Sequence, residues 1–222
     1  MINRISLIIV LFASCQTASA LNIMLDYSLD TFGFGGKGGG AAKSAIDQAA
    51  ADISSVITST LTEVNQVDFV DDKTTLTITP RFTNPTTNAT VNYDPVSPGG
   101  VPIAENTVII YVGAQSLGGS TLAQGGSGSA QLSGTGTNFV PSSALADTHM
   151  SRGGGPVIGR IVDVGNGIDV RLGSSLGNLW FDVNTDNSGG VDTDLELEAF
   201  WHYDHTTAPV AGKFDLYSVA MH

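Results

Sequence analysis

One run of six residues constrains this chain more than any other. Residues 107–112 (TVIIYV) follow a threonine with five consecutive apolar positions, which is the signature of a central strand rather than a half-exposed one. Such a strand needs elements to cover it, and the chain holds one long helical pattern that can do so. Over residues 41–61 the apolar positions Ala42, Ala45, Ile46, Ala49, Ile53, Val56, Ile57 and Leu61 recur at helical spacing, predicting an amphipathic helix with one face for a sheet.

The remaining elements are weaker. A first strand is expected over residues 22–27 (NIMLDY), followed by a glycine cluster at 33–40 that leads into the helix. Further β-type runs fall at 74–79, 89–93, 157–164, 168–172 and 178–183. Residues 113–136 are rich in glycine and serine with little periodicity, and read as a long surface excursion. An acidic loop at 184–194 precedes a run at 195–203 and a segment from Phe214 that looks helical. There Asp215 suits a first turn by charge, and Leu216, Val219 and Ala220 form an apolar stripe. The pattern is α+β, a long helix on a mixed, twisted sheet with a second helix starting. That second helix reaches His222 without a cap, so the natural protein is expected to continue.

Composition sets the compartment and removes some partners. Charged residues are only 14% of the chain and glycines number 27 of 222, against typical values of about 25% charged and ~7% glycine. This suits a loop-rich exported domain, and the length suits one domain over residues 21–222. A net charge of −12 repels phosphate backbones, which argues against nucleic acid as a partner. Residues 1–20 read as a secretory signal: Arg4 is the basic start, 5–13 a short apolar run, and Ala18-Ser19-Ala20 the cleavage site. The mature protein would then begin at Leu21, secreted or periplasmic. A competing reading takes residues 12–15 (FASC) as a lipoprotein signal with Cys15 lipidated, although Phe12 stands where Leu is usual. Cys15 is the only cysteine, so cleavage after Ala20 leaves no thiol for a disulfide, a nucleophile or a metal. No other stretch reaches the length of a membrane span.

Several motifs invite chemistry. Asp182, Asn184 and Asp186 occupy the first, third and fifth places of a calcium loop, with Asp192 and Asp194 close behind. Asn187 at place six and Thr193 at place twelve exclude an EF-hand and leave either a looser calcium site or a solvated acidic turn. Residues 33–38 (GFGGKG) match the dinucleotide pattern, but they follow the strand too late and lack the acidic partner, and Gly38 after Lys37 excludes a P-loop. His202 and His205 flank Asp204, yet three residues apart on an irregular segment they read as surface or packing residues, and His149 has no neighbouring ligand.

The strongest motif lies last. Residues 214–222 (FDLYSVAMH) resemble the opening of the active-site helix of matrixin-like metzincin proteases, in which such a run leads into His-Glu-x-x-His. Residues 178–182 (NLWFD) resemble that family's strand ending in Phe-Asp, and Trp201 its tryptophan between strand and helix. Together with residues 112–129 (VGAQSLGGSTLAQGGSGS), residues 200–222 are similar to exported metalloproteases of cyanobacteria and planctomycetes. The resemblance implies the upper, N-terminal subdomain of a metzincin, with His222 as the first zinc ligand and a peptide substrate along a sheet edge. The general base and remaining ligands would follow His222, so residues 1–222 alone are expected to be inactive. The rival is a non-catalytic, glycine-rich adhesive or matrix protein.

Overall fold

The computed structural model describes residues 21–58, 60–71, 74–96, 98, 100–136, 140–153, 158–163 and 169–222. The expected signal segment and Cys15 lie outside the described residues. Strand β1 (Asn22–Asp26) passes through a 3-10 segment, Phe34–Gly40, into helix α1 (Ala41–Val56). Strands β2 (Asp68–Asp71), β3 (Thr74–Thr83), β4 (Thr90–Asn92), β5 (Thr107–Gln115), β6 (Ala123–Ser127) and β7 (Ser129–Thr135) follow. Helix α2 (Val140–Met150) separates them from β8 (Ile158–Asp163), β9 (Asp169–Gly173) and β10 (Leu176–Asp182). Then come α3 (Asp194–Phe200), β11 (Trp201–His202), β12 (Phe214–Asp215) and α4 (Leu216–Met221). The class is α+β. Among the described residues no helix is long and apolar enough to cross a membrane.

The main sheet has the order β1-β5-β10-β6, with β1, β5 and β10 parallel and β6 antiparallel at the edge. Its centre, β5, is buried on both faces, as its composition requires. Val112 and Ala114 pack with Phe34, Ile46, Phe181, Trp201 and Leu216 on the side of α1 and α4. Ile109 and Tyr111 point the other way, into a cluster with Phe82, Ile78, Met150 and Leu172. There Phe82 stacks on Tyr111 with ring centroids 3.7 Å apart. That second cluster is built on β3, which pairs antiparallel with β2, β4 and β7, and on α2 and β9, whose antiparallel partner is β8.

Four expectations need correction. Helix α1 stops at Val56 rather than at Leu61, because Ile57 is extended (φ −92°, ψ 114°). Leu61 is still buried, but in a separate cluster with Leu21 and Val108. Residues 113–136 are not a surface excursion: they complete β5 and form β6 and β7. Their side chains are mostly exposed, so backbone pairing replaces the hydrophobic period that a sequence reading seeks. At the joint between β6 and β7, a Cβ on Gly128 would lie 2.8 Å from the Arg81 and Leu176 carbonyl oxygens, so only glycine fits. Residues 195–203 form α3 and β11, and α2 had no counterpart among the expected elements. Finally, Phe214 and Asp215 form β12 beside Trp201 and His202, and Asp215 caps α4 rather than sitting within it.

One residue ties these parts together. Arg152 is fully buried with φ at 51°. Its guanidinium donates to the carbonyls of Thr62 (2.6 Å), Thr107 (2.7 Å), Ser174 (2.7 Å) and Ala104 (2.8 Å).

Candidate functional site

Helix α4 begins where the Asp215 carboxylate accepts a hydrogen bond from the Ser218 N–H at 3.2 Å, an N-cap that its short side chain is suited to make. Leu216 is fully buried in the cluster around Trp201, and Val219 and Ala220 pack against it, so the predicted stripe faces the core. The outer side is tied to α1: Tyr217 donates its phenolic O–H to Asp52 at 2.6 Å, and that bond raises the Tyr217 pKa. The His205 ring stacks on Tyr217 with centroids 6.2 Å apart. His222 caps the C-terminal end of α4, its N–H donating to the Val219 carbonyl at 3.3 Å, and its side chain is exposed.

Opposite His222 runs β6. Its inner edge is bonded to β10 from Ala123 to Ser127, and its outer edge has no strand partner among the described residues. Between them lies a cleft of about 610 Å³, lined by Leu122, Gly125, Gly126, Leu179, Val219 and His222 among others. That volume falls within the range of ligand sites. An unpaired strand edge presents a row of free N–H and C=O groups, and this edge carries only small side chains apart from Gln124. The cleft can therefore take an extended chain close to the backbone.

Among the described residues, no three His, Cys, Asp or Glu side chains come together as an ion-holding group. His222 is thus a single imidazole at the cleft. The calcium-loop residues divide. Asp182, only 2% exposed, accepts through Oδ1 from the N–H groups of Leu117 (2.9 Å) and Asn184 (3.2 Å). Asn184 is buried beside it, donating through Nδ2 to Ser116 Oγ at 3.1 Å, and its Oδ1 has no hydrogen-bond partner. Asp186 is exposed and turned onto the Ser188 N–H at 2.8 Å, which lowers its pKa. Asp192 serves the loop itself, accepting from the Thr185 N–H at 2.8 Å.

The other histidines are apart. His202 is buried, its Nε2 3.3 Å from the Thr207 carbonyl oxygen, while His149 lies against Phe69 at 5.8 Å between ring centroids. The glycine run before α1 packs on the aromatic cluster instead of opening a turn for phosphate, since Gly38 abuts the Tyr203 ring. Lys37 within it donates to Asp194 at 2.6 Å and lies over the Phe32 ring.

Sequence reading missed the cleft wall at β6, hidden among glycines and serines, and the ring pair Phe200–Phe214, whose centroids are 4.8 Å apart. No family model, curated protein or solved structure matches the chain.

Proposed function

We propose that this chain carries the sheet, the open edge strand and the first zinc-binding histidine of an exported zinc-dependent endopeptidase of the metzincin type. The observation that carries the reading is the cleft between the free edge of β6 and His222. An imidazole nitrogen is a donor suited to zinc. His222 would give one of the three protein ligands that a catalytic zinc needs, and the reading requires Glu-x-x-His directly after it for the general base and second ligand. Zinc, when bound, would polarise the scissile carbonyl and activate water.

The chain's own residues do the positioning. Buried Leu216 and the Tyr217–Asp52 hydrogen bond hold α4 against the core and α1, which fixes the direction from which His222 meets the cleft. The outer edge of β6 can pair with an extended peptide through its backbone, with Gly125 and Gly126 leaving that approach open. Leu122, Leu179 and Val219 give the cleft an apolar lining against which side chains of the peptide can pack.

The test starts with the coding sequence after His222, where Glu-x-x-His is expected. The chain continued through those residues should bind one zinc and cleave casein, and a chelator or His222→Ala should abolish both. A continued chain that binds no zinc overturns the reading in favour of the adhesive or matrix protein. Export belongs to the same proposal, and N-terminal sequencing of the exported protein should start at Leu21; a blocked, lipidated Cys15 would replace secretion with membrane anchoring.

A further inference from the structure

A second, smaller pocket of about 240 Å³ adjoins the cleft at the start of β6 and shares Thr121 and Leu122 with it. Its walls are the loop from Gly119 to Leu122 together with Asp182, Thr185, Asn187, Phe200 and Phe214. Among the described residues Asp182 is the only ionisable one in that lining. Among the described residues no Lys, Arg or His forms an ion pair with Asp182, the acidic partners of Lys37, Lys43 and Arg171 being Asp194, Asp47 and Asp147. Two backbone N–H groups hold Asp182 Oδ1 in place, so the pocket carries a fixed carboxylate that a cation from outside the chain can meet. Beside it stand the tilted rings of Phe200 and Phe214, the latter 46% exposed. Aromatic faces attract a guanidinium or ammonium group, arginine more strongly because its plane stacks while its fork meets a carboxylate. The chain's net charge of −12 adds a field that draws cationic peptides and repels acidic ones.

We propose that this pocket is a subsite for a basic side chain, arginine above lysine, of an extended peptide lying along β6. The inference rests on the cleft reading and deepens it by naming the class of substrate. A calcium ion is the competing occupant. It would need six to eight oxygen ligands, whereas Asp186 and Asp192 are turned onto Ser188 and Thr185 within their own loop.

The experiment measures binding, so it is independent of zinc and of cleavage. Fluorescein-labelled octapeptides of alanine and glycine, with one arginine or one glutamine at each position in turn, are titrated against the chain by anisotropy. At one position the arginine peptide should bind at least tenfold more tightly than its glutamine twin. Asp182→Asn keeps a carbonyl oxygen for the Leu117 and Asn184 N–H groups, and should erase that preference while leaving the glutamine peptide unchanged. Phe214→Ala, at a half-exposed position, should cut the preference without endangering the fold. Equal binding of arginine and glutamine peptides at every position overturns the subsite while leaving the cleft in place. Calcium stabilisation that depends on Asp182, without any arginine preference, also overturns it and makes the pocket an ion site. If the continued chain proves to lack zinc but the preference persists, the subsite stands and the protease reading falls. Absence of any peptide binding sinks both.

Discussion

Among the described residues Arg152 has no carboxylate partner: burial pulls its guanidinium down to about 10, so at neutral pH it stays charged and is held by four carbonyl dipoles. Arg152→Met should cost roughly 3 kcal/mol or more, since four carbonyls lose a charged donor, and Arg152→Lys should not rescue it because an ammonium lacks the planar fork. Chemical denaturation of the two variants checks this. The glycines before α1 give a graded series. Gly36 has open space and no positive φ, so Gly36→Ala should be nearly neutral. Gly39 sits at φ 67° in open space, and its alanine variant should lose about 1 kcal/mol from backbone strain alone. Gly38 combines φ 60° with a Cβ position 2.8 Å from the Tyr203 ring, so Gly38→Ala should lose the most. Thermal melts of the three would separate strain from crowding, and equal losses would refute the packing role of Gly38.

Element by element, what the sequence revealed depended on which physics held each piece. Helix α1 and strand β5 owe their places to apolar burial, and both were legible from side-chain pattern. Helix α2 was not, because its buried positions include Ser142, Ser143 and Ala146 while Leu145 is 48% exposed, leaving no stripe to read. Helix α3 could have been found: Thr193 and Glu196 form a capping box, the Glu196 carboxylate accepting from the Thr193 N–H at 2.7 Å, and T-x-x-E is its written sign. Thr193→Ala should cost about 1 kcal/mol, read as faster amide exchange in α3. A different device joins α2 to β9, where Arg171 donates from its backbone N–H (2.8 Å) and Nε (3.0 Å) to Asp147 Oδ1. The hydrogen bond from Arg171 holds the Asp147 carboxyl below its ordinary range. Because the folded pKa is depressed, this stability is present above the unfolded value near 3.9 and is lost as pH falls through the lowered one. Asp147→Asn should therefore weaken the protein at pH 6 and flatten its acid unfolding; an unchanged acid profile would remove the latch from the account.

At the scale of the whole molecule, β5 is the seam, feeding Val112 and Ala114 to one core and Ile109 and Tyr111 to the other. The place of β5 in the fold was legible, but the site was legible only at its helix, through residues 214–222. Its opposite wall was written in glycine and serine, whose contribution is backbone and therefore silent in a hydrophobic pattern. The four carbonyls around Arg152 come from three stretches far apart along the chain, at residue 62, at residues 104 and 107, and at residue 174. A guanidinium cannot settle among them until all three segments have arrived, which makes this contact one of the last events of folding rather than one of the first. Time, and not only stability, is then what the residue controls. Variants at Arg152 should leave the refolding rate almost unchanged and speed unfolding, so the native chain would lose its lifetime before it lost its ability to form.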